Sequence, residues 1–353
     1  MLISPARSSD KMTSVLCFDD VLLVPRYSEV ESRKDISLDI DLGPGGSLSL
    51  PIVSSPMDTV TESAMTIAMH RSGGLGIIHR YNTIEEQASL VKEVRASGMC
   101  NVGAAIGVTG DFINRARALY DAGARVICVD IAHGHHAMMR HALQVLRNTF
   151  GTDIHIMAGN VATREAFDSL SGWGADSVRV GIGGGSICST RIQTGHGVPT
   201  LQSILDVAES KHAGQVKIIA DGGIRNSGDI VKALAAGADI VMLGSLLAGS
   251  DETPGEEIFL RGGKFKEYRG MASVEAQIQW RGHVSSREGV STTIACKGSA
   301  SDVVANLELG IRSGLSYSGA TSVSELQRCA SFIRQTSSGA VESSTHINND
   351  NLI

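Results

Sequence analysis

Val216-Lys217-Ile218-Ile219-Ala220-Asp221-Gly222-Gly223-Ile224 opens as an apolar run and ends on a Gly pair, and Ile240-Val241-Met242-Leu243-Gly244-Ser245 repeats that design. A run apolar at nearly every position, rather than at alternate ones, marks a strand covered on both faces, as in a parallel sheet. Further runs of the same kind lie upstream at Leu50–Ser54, Gly74–Ile78, Asn101–Ile106, Val126–Val129, Ile154–Gly159 and Ser177–Gly181. Between them the apolar residues take helical spacing, as over Thr61–Arg71, Ile84–Ala96, Gly110–Ala122 and His136–Asn148. The helix-to-strand turns repeat one phrase, Ala122-Gly123-Ala124, Trp173-Gly174-Ala175 and Ala236-Gly237-Ala238. Gly suits that place because it reaches the left-handed angles that end a helix. Eight strand–helix units predict an α/β fold, a (β/α)8 TIM barrel. No GxGxxG follows the first run, which weakens an open dinucleotide-binding sheet.

Composition narrows the function. The 353 residues are 42% apolar and 19% charged, enough for a large core. A net charge of −6 and only 7 Phe, 2 Trp and 5 Tyr offer neither a basic footprint nor stacking platforms, so nucleic acid is excluded as a partner. No run approaches a membrane span, and Met1 to Met12 has no apolar signal core. Six scattered Cys without CxxC pairs fit a reducing, cytoplasmic setting. Cys17, Cys100 and Cys128 read as buried, inert small hydrophobes.

A polar residue or Gly follows each run: Ser55, His79, Gly107, Asp130, Asn160, Gly183, Asp221 and Ser245. Barrel enzymes build their sites on that C-terminal rim. The Gly-rich turns after the seventh and eighth runs suit a phosphate held by backbone N–H groups. After the sixth run, Gly181-Ile182-Gly183-Gly184-Gly185-Ser186-Ile187-Cys188 can wrap a ligand or ion, and Cys188 lies outside any apolar run. A loop Cys among exposed N–H groups suits a nucleophile. His133-Gly134-His135-His136 lacks nearby acidic or Cys partners for a metal. Lys264–Gly298 is polar, rich in Gly and without regular pattern, and is expected to be a long structureless cover. The whole chain, 1–353, is read as one catalytic barrel domain, with a flap at about 272–298 and a mobile Ser-rich tail at 337–353.

Phe18–Leu23, Ser55-Pro56-Met57-Asp58-Thr59-Val60, Gly159–Thr163, the Cys188 loop, Asp221–Arg225 and Tyr268-Arg269-Gly270-Met271 stand out as a set of phrases. Through them the chain, from about residue 14 to 340, resembles the inosine monophosphate dehydrogenase and GMP reductase superfamily. The resemblance implies a cytoplasmic homotetramer in which Cys188 attacks carbon 2 of a purine nucleoside monophosphate, with hydride exchanged with a nicotinamide. It further implies that Ser55 and Met57 flank the nucleotide, that Ser186, Gly223, Gly244, Ser245 and Tyr268 hold its phosphate, and that Asp221 holds its ribose. Gly270 and Met271 would contact the base. Asp130, Asn160, Gly181 and Gly183 would face the nicotinamide, and Gly183, Gly185 and Cys188 would offer carbonyls to K+. Gly184, where the family often has Pro, and Ala272, commonly Gly or Ser, depart from the pattern.

The paired regulatory insert of most dehydrogenases is missing, since Lys92–Ser97 leads straight to the third strand. Phe18–Leu23, Ser55–Glu62 and Asp221–Ile230 resemble the dehydrogenase. The flap resembles the reductase instead: it has Glu288-Gly289, and no Tyr occurs between Tyr268 and Tyr317 to supply the dehydrogenase's Arg-Tyr pair. Because the flap decides the second step, the expected activity is reduction of GMP by NADPH, with Thr190 and Glu288 relaying a proton to the departing amine. The alternative is an NAD-dependent IMP dehydrogenase without the insert. A flavin barrel, which would not need the Cys loop, and a non-catalytic nucleotide sensor are the other classes.

Overall fold

The computed structural model describes residues 14–260 and 262–343. Eight parallel strands close a barrel: β1 (Ile52–Ser54), β2 (Leu75–Ile78), β3 (Gly103–Ile106), β4 (Val126–Asp130), β5 (His155–Val161), β6 (Ser177–Val180), β7 (Lys217–Asp221) and β8 (Ile240–Leu243), with β8 hydrogen-bonded back to β1. Their inward side chains, among them Val53, Ile77, Ala105, Cys128, Met157, Ile219 and Met242, form an inner core. Alternate residues such as Ile52, Ile78, Ile106, Val129 and Val178 belong to the larger core outside the strands. Both sides of each strand are therefore apolar, which is why the runs lack alternation.

The helices behind the strands are α1 (Ser63–Arg71), α2 (Ile84–Ala96), α3 (Phe112–Ala122), α4 (Ala137–Phe150), α5 (Arg164–Gly172), α7 (Thr200–Ala208) and α8 (Ser227–Ala235), while the short α6 (Thr190–Thr194) lies in the connection after β6. The start of α2 is set by a capping box, in which Thr83 Oγ1 accepts from Glu86 N at 3.1 Å and Glu86 accepts from Thr83 N at 2.9 Å. Gly123, Gly174 and Gly237 in the repeated turn all take positive φ, at 113°, 107° and 117°. The predicted Ile84–Ala96 coincides with the helix, whereas Gly110–Ala122 starts only at Phe112 and His136–Asn148 runs on to Phe150. The N-terminal end of the barrel is plugged by a hairpin of Ile40–Asp41 and Ser47–Leu48, which sends Ile40, Leu42 and Leu48 into the inner core.

The eighth unit is interrupted. Between β8 and its helix α10 (Ala300–Tyr317) the chain builds a three-stranded sheet of β9 (Ile258–Leu260), β10 (Gly263–Arg269) and β11 (Ser291–Ala295), with α9 (Val274–Arg281) between the last two. This corrects the expectation of a structureless Lys264–Gly298: its alternating residues face opposite sides of a sheet half open to solvent, and Ser273 caps α9 by accepting from Ala276 N. The insertion leaves and rejoins the barrel through a narrow neck. Asp251 N donates to Gly298 O and Lys297 N to Gly249 O, both at 2.9 Å, and Lys297 Nζ donates to Ser245 O at 2.6 Å. The start of the predicted mobile tail forms a short helix, Ser337–Glu342, and its remainder from 344, like Met1 to Met12, lies outside the described residues. Among the described residues no helix is long and apolar enough to cross a membrane.

Candidate active site

A cavity of about 520 Å³ opens at the C-terminal rim, within the usual range for small-ligand sites. Seven of the eight polar residues or Gly expected at the strand ends line it; His79 does not. The His79 ring is buried, pairs with Glu62 at 3.0 Å and accepts from Tyr81 N at 3.1 Å, so Arg80 and Tyr81 face the cavity in its place. Every residue that the resemblance nominated, from Ser55 and Met57 to Thr190 and Glu288, lines this one cavity.

At one end the loops after β1 and β8 meet the flap sheet. The hydroxyls of Tyr268 and Ser186 lie 3.5 Å apart. A Cβ on Gly244 would come within 3.1 Å of the Tyr268 hydroxyl and 3.3 Å of Met57 Sδ, so a bare Gly is what lets these three elements converge. Burial pushes the Tyr268 phenol up, against its hydrogen bonds to Ser186 and Ser245.

Across the barrel mouth stands a buried ion cluster. Arg179 Nε and Nη2 donate to Asp221 Oδ2 at 3.1 and 2.9 Å, and Nη1 donates to Asp130 Oδ1 at 2.7 Å. Asn160 Nδ2 donates to the same Asp221 Oδ2 at 2.8 Å and to Gly181 O at 2.9 Å. Burial would raise the Asp130 carboxyl, but Arg179 and then Arg80 outweigh it and hold it low. Burial likewise opposes the Arg179 charge, and its carboxylate neighbours, Asp221 foremost, more than restore it. Arg80 extends the cluster: its Nη2 donates to Asp130 O at 3.3 Å, and its guanidinium lies 4.9 Å from the Tyr81 ring and 5.6 Å from that of Trp280. Sequence reading missed Arg179, Arg80 and Trp280. The available signal was an Arg two residues after Ser177 within a Val-rich run, a charge that a barrel interior tolerates only beside carboxylates.

Cys188 sits between these two regions. Its Sγ donates to Thr190 Oγ1 at 3.2 Å, and Thr190 Oγ1 donates to Glu288 Oε2 at 2.9 Å. The flap reaches the Cys loop as a pseudo-strand: Ser189 N donates to Glu288 O and Val290 N to Ile187 O, both at 3.0 Å. Within the loop, Cys188 N donates to Gly185 O at 3.2 Å. Gly184 has a local reason: a Cβ there would fall 2.6 Å from Thr200 Oγ1, which is buried without a hydrogen-bond partner.

The other Cys and His residues separate out. Cys128 is fully buried and its thiol is pushed up to about 11 by burial, while Cys17 is half-buried. Cys100 is exposed, contrary to the expectation of a buried residue, because it lies in the connection after α2 rather than on β3. His135 Nε2 meets Ser169 Oγ at 3.1 Å, and His136 Nδ1 accepts from Met138 N, capping α4.

Fold and cavity together define a (β/α)8 barrel whose rim can hold a nucleotide-sized ligand over a loop cysteine. The family model described as the IMP dehydrogenase / GMP reductase domain matches residues 15–346. The chain belongs to that family, whose members are oxidoreductases of purine nucleotides. It is 39% identical to the inosine-5'-monophosphate dehydrogenase of Cryptosporidium parvum, covering 94% of each chain, and 32% identical to the GMP reductase of Leishmania major, covering 94% of this chain and 96% of that one. The latter alignment spans 474 positions, more than this chain's 353 residues, so that relative carries segments absent here. A crystal structure of GMP reductase from Trypanosoma brucei in complex with guanosine 5'-monophosphate superposes with a TM-score of 0.88 at 32% identity, covering 95% of this chain and 98% of that one.

Proposed function

We propose that this protein is a GMP reductase, converting GMP to IMP and ammonia with NADPH. The observation that carries the reading is the line Cys188 Sγ, Thr190 Oγ1, Glu288 Oε2, with steps of 3.2 and 2.9 Å. The Cys188 thiol passes its proton through the Thr190 hydroxyl to Glu288 as its sulfur adds to carbon 2 of the purine, and the same proton, returned from Glu288 through Thr190, leaves with the amine as ammonia. A nicotinamide, when bound, supplies the hydride that displaces the sulfur. Asp130, Asn160, Gly181 and Gly183 would hold it, in the part of the cavity that runs on past Gly107, Thr109 and Met138. The docked flap excludes water, which would otherwise hydrolyse the covalent intermediate.

Gly223, Gly244, Ser245, Ser186 and Tyr268 would take the phosphate, Asp221 the ribose, Ser55 and Met57 the nucleotide faces, and Gly270 and Met271 the base. Asp221 suits its role because all its internal bonds fall on Oδ2, which leaves Oδ1 to accept from a ribose hydroxyl. Gly183, Gly185 and Cys188 would present carbonyls to K+. Replacing K+ by a large organic cation is expected to lower turnover.

Identity favours a second reading, since the dehydrogenase of Cryptosporidium parvum is closer overall than the reductase of Leishmania major. That identity is spread over a barrel both enzymes share, whereas the step that distinguishes them, release of ammonia or attack of water, is decided at the flap. The test is an absorbance assay at matched concentrations. GMP with NADPH should be consumed with release of ammonia, and IMP with NAD+ should give no XMP; the reverse pattern would establish the dehydrogenase.

A further inference from the structure

Glu288 lies on a flap, yet the proton relay needs its carboxylate held to a few tenths of an ångström, so something rigid must fix the segment before it. Gln277 on α9 is the group placed to do this. Its side chain is buried, and both ends of its amide are spent on backbone. Nε2 donates to the carbonyls of Ala272 at 3.0 Å, Ser273 at 3.2 Å and Ser286 at 2.6 Å. Oε1 accepts from Ser285 N at 2.9 Å, Ser286 N at 3.2 Å and Ser285 Oγ at 2.9 Å. The amide thus pairs with both the N–H and the C=O of Ser286, as a neighbouring strand would.

The helix behind it is itself anchored. Arg269 Nη2 donates to Gln279 Oε1 at 2.7 Å while its Nε donates to Asp58 at 3.0 Å, and Trp280 packs edge-on against Tyr81 at 5.1 Å. The flap is also tied to the Cys loop on both sides of Glu288, where Ser189 Oγ donates to Arg287 O and Val290 N to Ile187 O, both at 3.0 Å. Only Arg287 separates Ser286 from Glu288, so the Gln277 bonds to residues 285 and 286 and the Ser189 bonds to residues 287 and 288 together fix the backbone that carries the carboxylate.

We propose that Gln277 is the positioning residue of the Cys188–Thr190–Glu288 relay, fixing residues 285 and 286 so that the Glu288 carboxylate stays on the Thr190 hydroxyl. The proposal rests on the reading that this relay releases ammonia from GMP. Two variants test it, Gln277→Met, which keeps the volume and loses every bond, and Gln277→Glu, which keeps an acceptor and loses the donor. Hydrogen exchange over 283–290 is the readout independent of turnover, and it is expected to rise at least tenfold in Gln277→Met. Ammonia release from GMP should fall tenfold or more, while the burst of NADP+ reduction on mixing with IMP stays within twofold.

In Gln277→Glu, ammonia release should recover as pH falls, because a protonated carboxyl regains a donor for the Ser286 carbonyl. That pH response carries the test if Gln277→Met does not fold. Unchanged exchange in Gln277→Met, equal slowing of both partial reactions, or a Gln277→Glu profile parallel to that of the parent would overturn the proposal. A parent protein that releases no ammonia from GMP would defeat the functional reading instead, and the exchange measurement would still decide what Gln277 does.

Discussion

β5 and β6 carry polar residues at both ends, and the two ends are built to opposite purposes. At the N-terminal end His155 is buried beneath the hairpin plug. Its Nδ1 meets Leu42 O at 2.9 Å and its Nε2 meets Ser177 Oγ at 2.8 Å, so both ring nitrogens are used. At the C-terminal end of the same two strands, Asn160 and Arg179 converge on Asp221 and Asp130, and these groups still border an open cavity. A buried polar group costs free energy until it is paired. The lower end meets that requirement within itself and closes the barrel. The upper end meets it with charge and keeps acceptors in reserve, and that reserve is what a ligand can engage.

The comparison can be broken most completely at Cys188. Cys188→Ala is expected to lose all measurable turnover while retaining GMP in equilibrium dialysis, and mass spectrometry of the trapped parent enzyme should place the adduct on the Cys188 peptide. Thermal unfolding should be unchanged, because nothing at the plugged end depends on this loop.

Arg179→Met attacks the upper end through stability. It leaves Asp221 without its cation and Asp130 with Arg80 alone, and removing one partner of a buried pair typically costs 3–5 kcal/mol. Urea unfolding should show a loss of about that size, and adding Asp221→Asn should recover part of it. A loss below about 1 kcal/mol would mean that solvent, rather than Arg179, compensates the two acids.

Glu288→Gln and Thr190→Ala test chemistry alone. Each is expected to slow ammonia release about a hundredfold or more, the usual scale of lost acid–base help, with the hydride step retained. Parent-rate ammonia release in Glu288→Gln would make the dehydrogenase the better reading.

The smallest effect belongs to the plugged end. Burial lowers the His155 pKa below its ordinary value of 6.5, with Asp176 and the Leu42 carbonyl acting against that shift. The unfolded chain therefore takes up a proton near pH 6.5 that the folded chain refuses, so this contribution to stability is lost as pH falls from 6.5 toward the lowered value. Unfolding midpoints measured through that range should decline in the parent and decline less in His155→Gln. An equal decline in both would assign the effect to other histidines, His70 and His133 among them, which are also shifted down by burial.

What the sequence disclosed follows the same division. Strands buried on both faces write themselves as apolar runs, so the barrel and seven of the eight strand-end residues lining its cavity could be read directly. Thr190 and Glu288, far apart in the chain, were paired only because a family likeness joined them, and their hydrogen bond is now seen at 2.9 Å. Arg179 was hidden because reading only the residue after each run overlooks an inward-facing charge within it. The Trp280–Arg80 contact joins an inserted helix to the loop after β2, a pairing that no local pattern encodes. The flap strands were passed over because a sheet wet on one side has too few apolar positions to stand out.

The neck between β8 and α10 has a consequence for how the family can vary. Because Gly249, Asp251, Lys297 and Gly298 hold the two ends of the insertion together, the barrel registers only a closed loop and not what the loop contains. The entropy of closing a loop grows with the logarithm of its length, so doubling the insertion would cost only about 0.6 kcal/mol. A flap of different length, carrying a different acid or base, could therefore be grafted at the neck with little disturbance to the eight strands, which makes the proton-transfer chemistry at the flap the part of this enzyme most open to exchange.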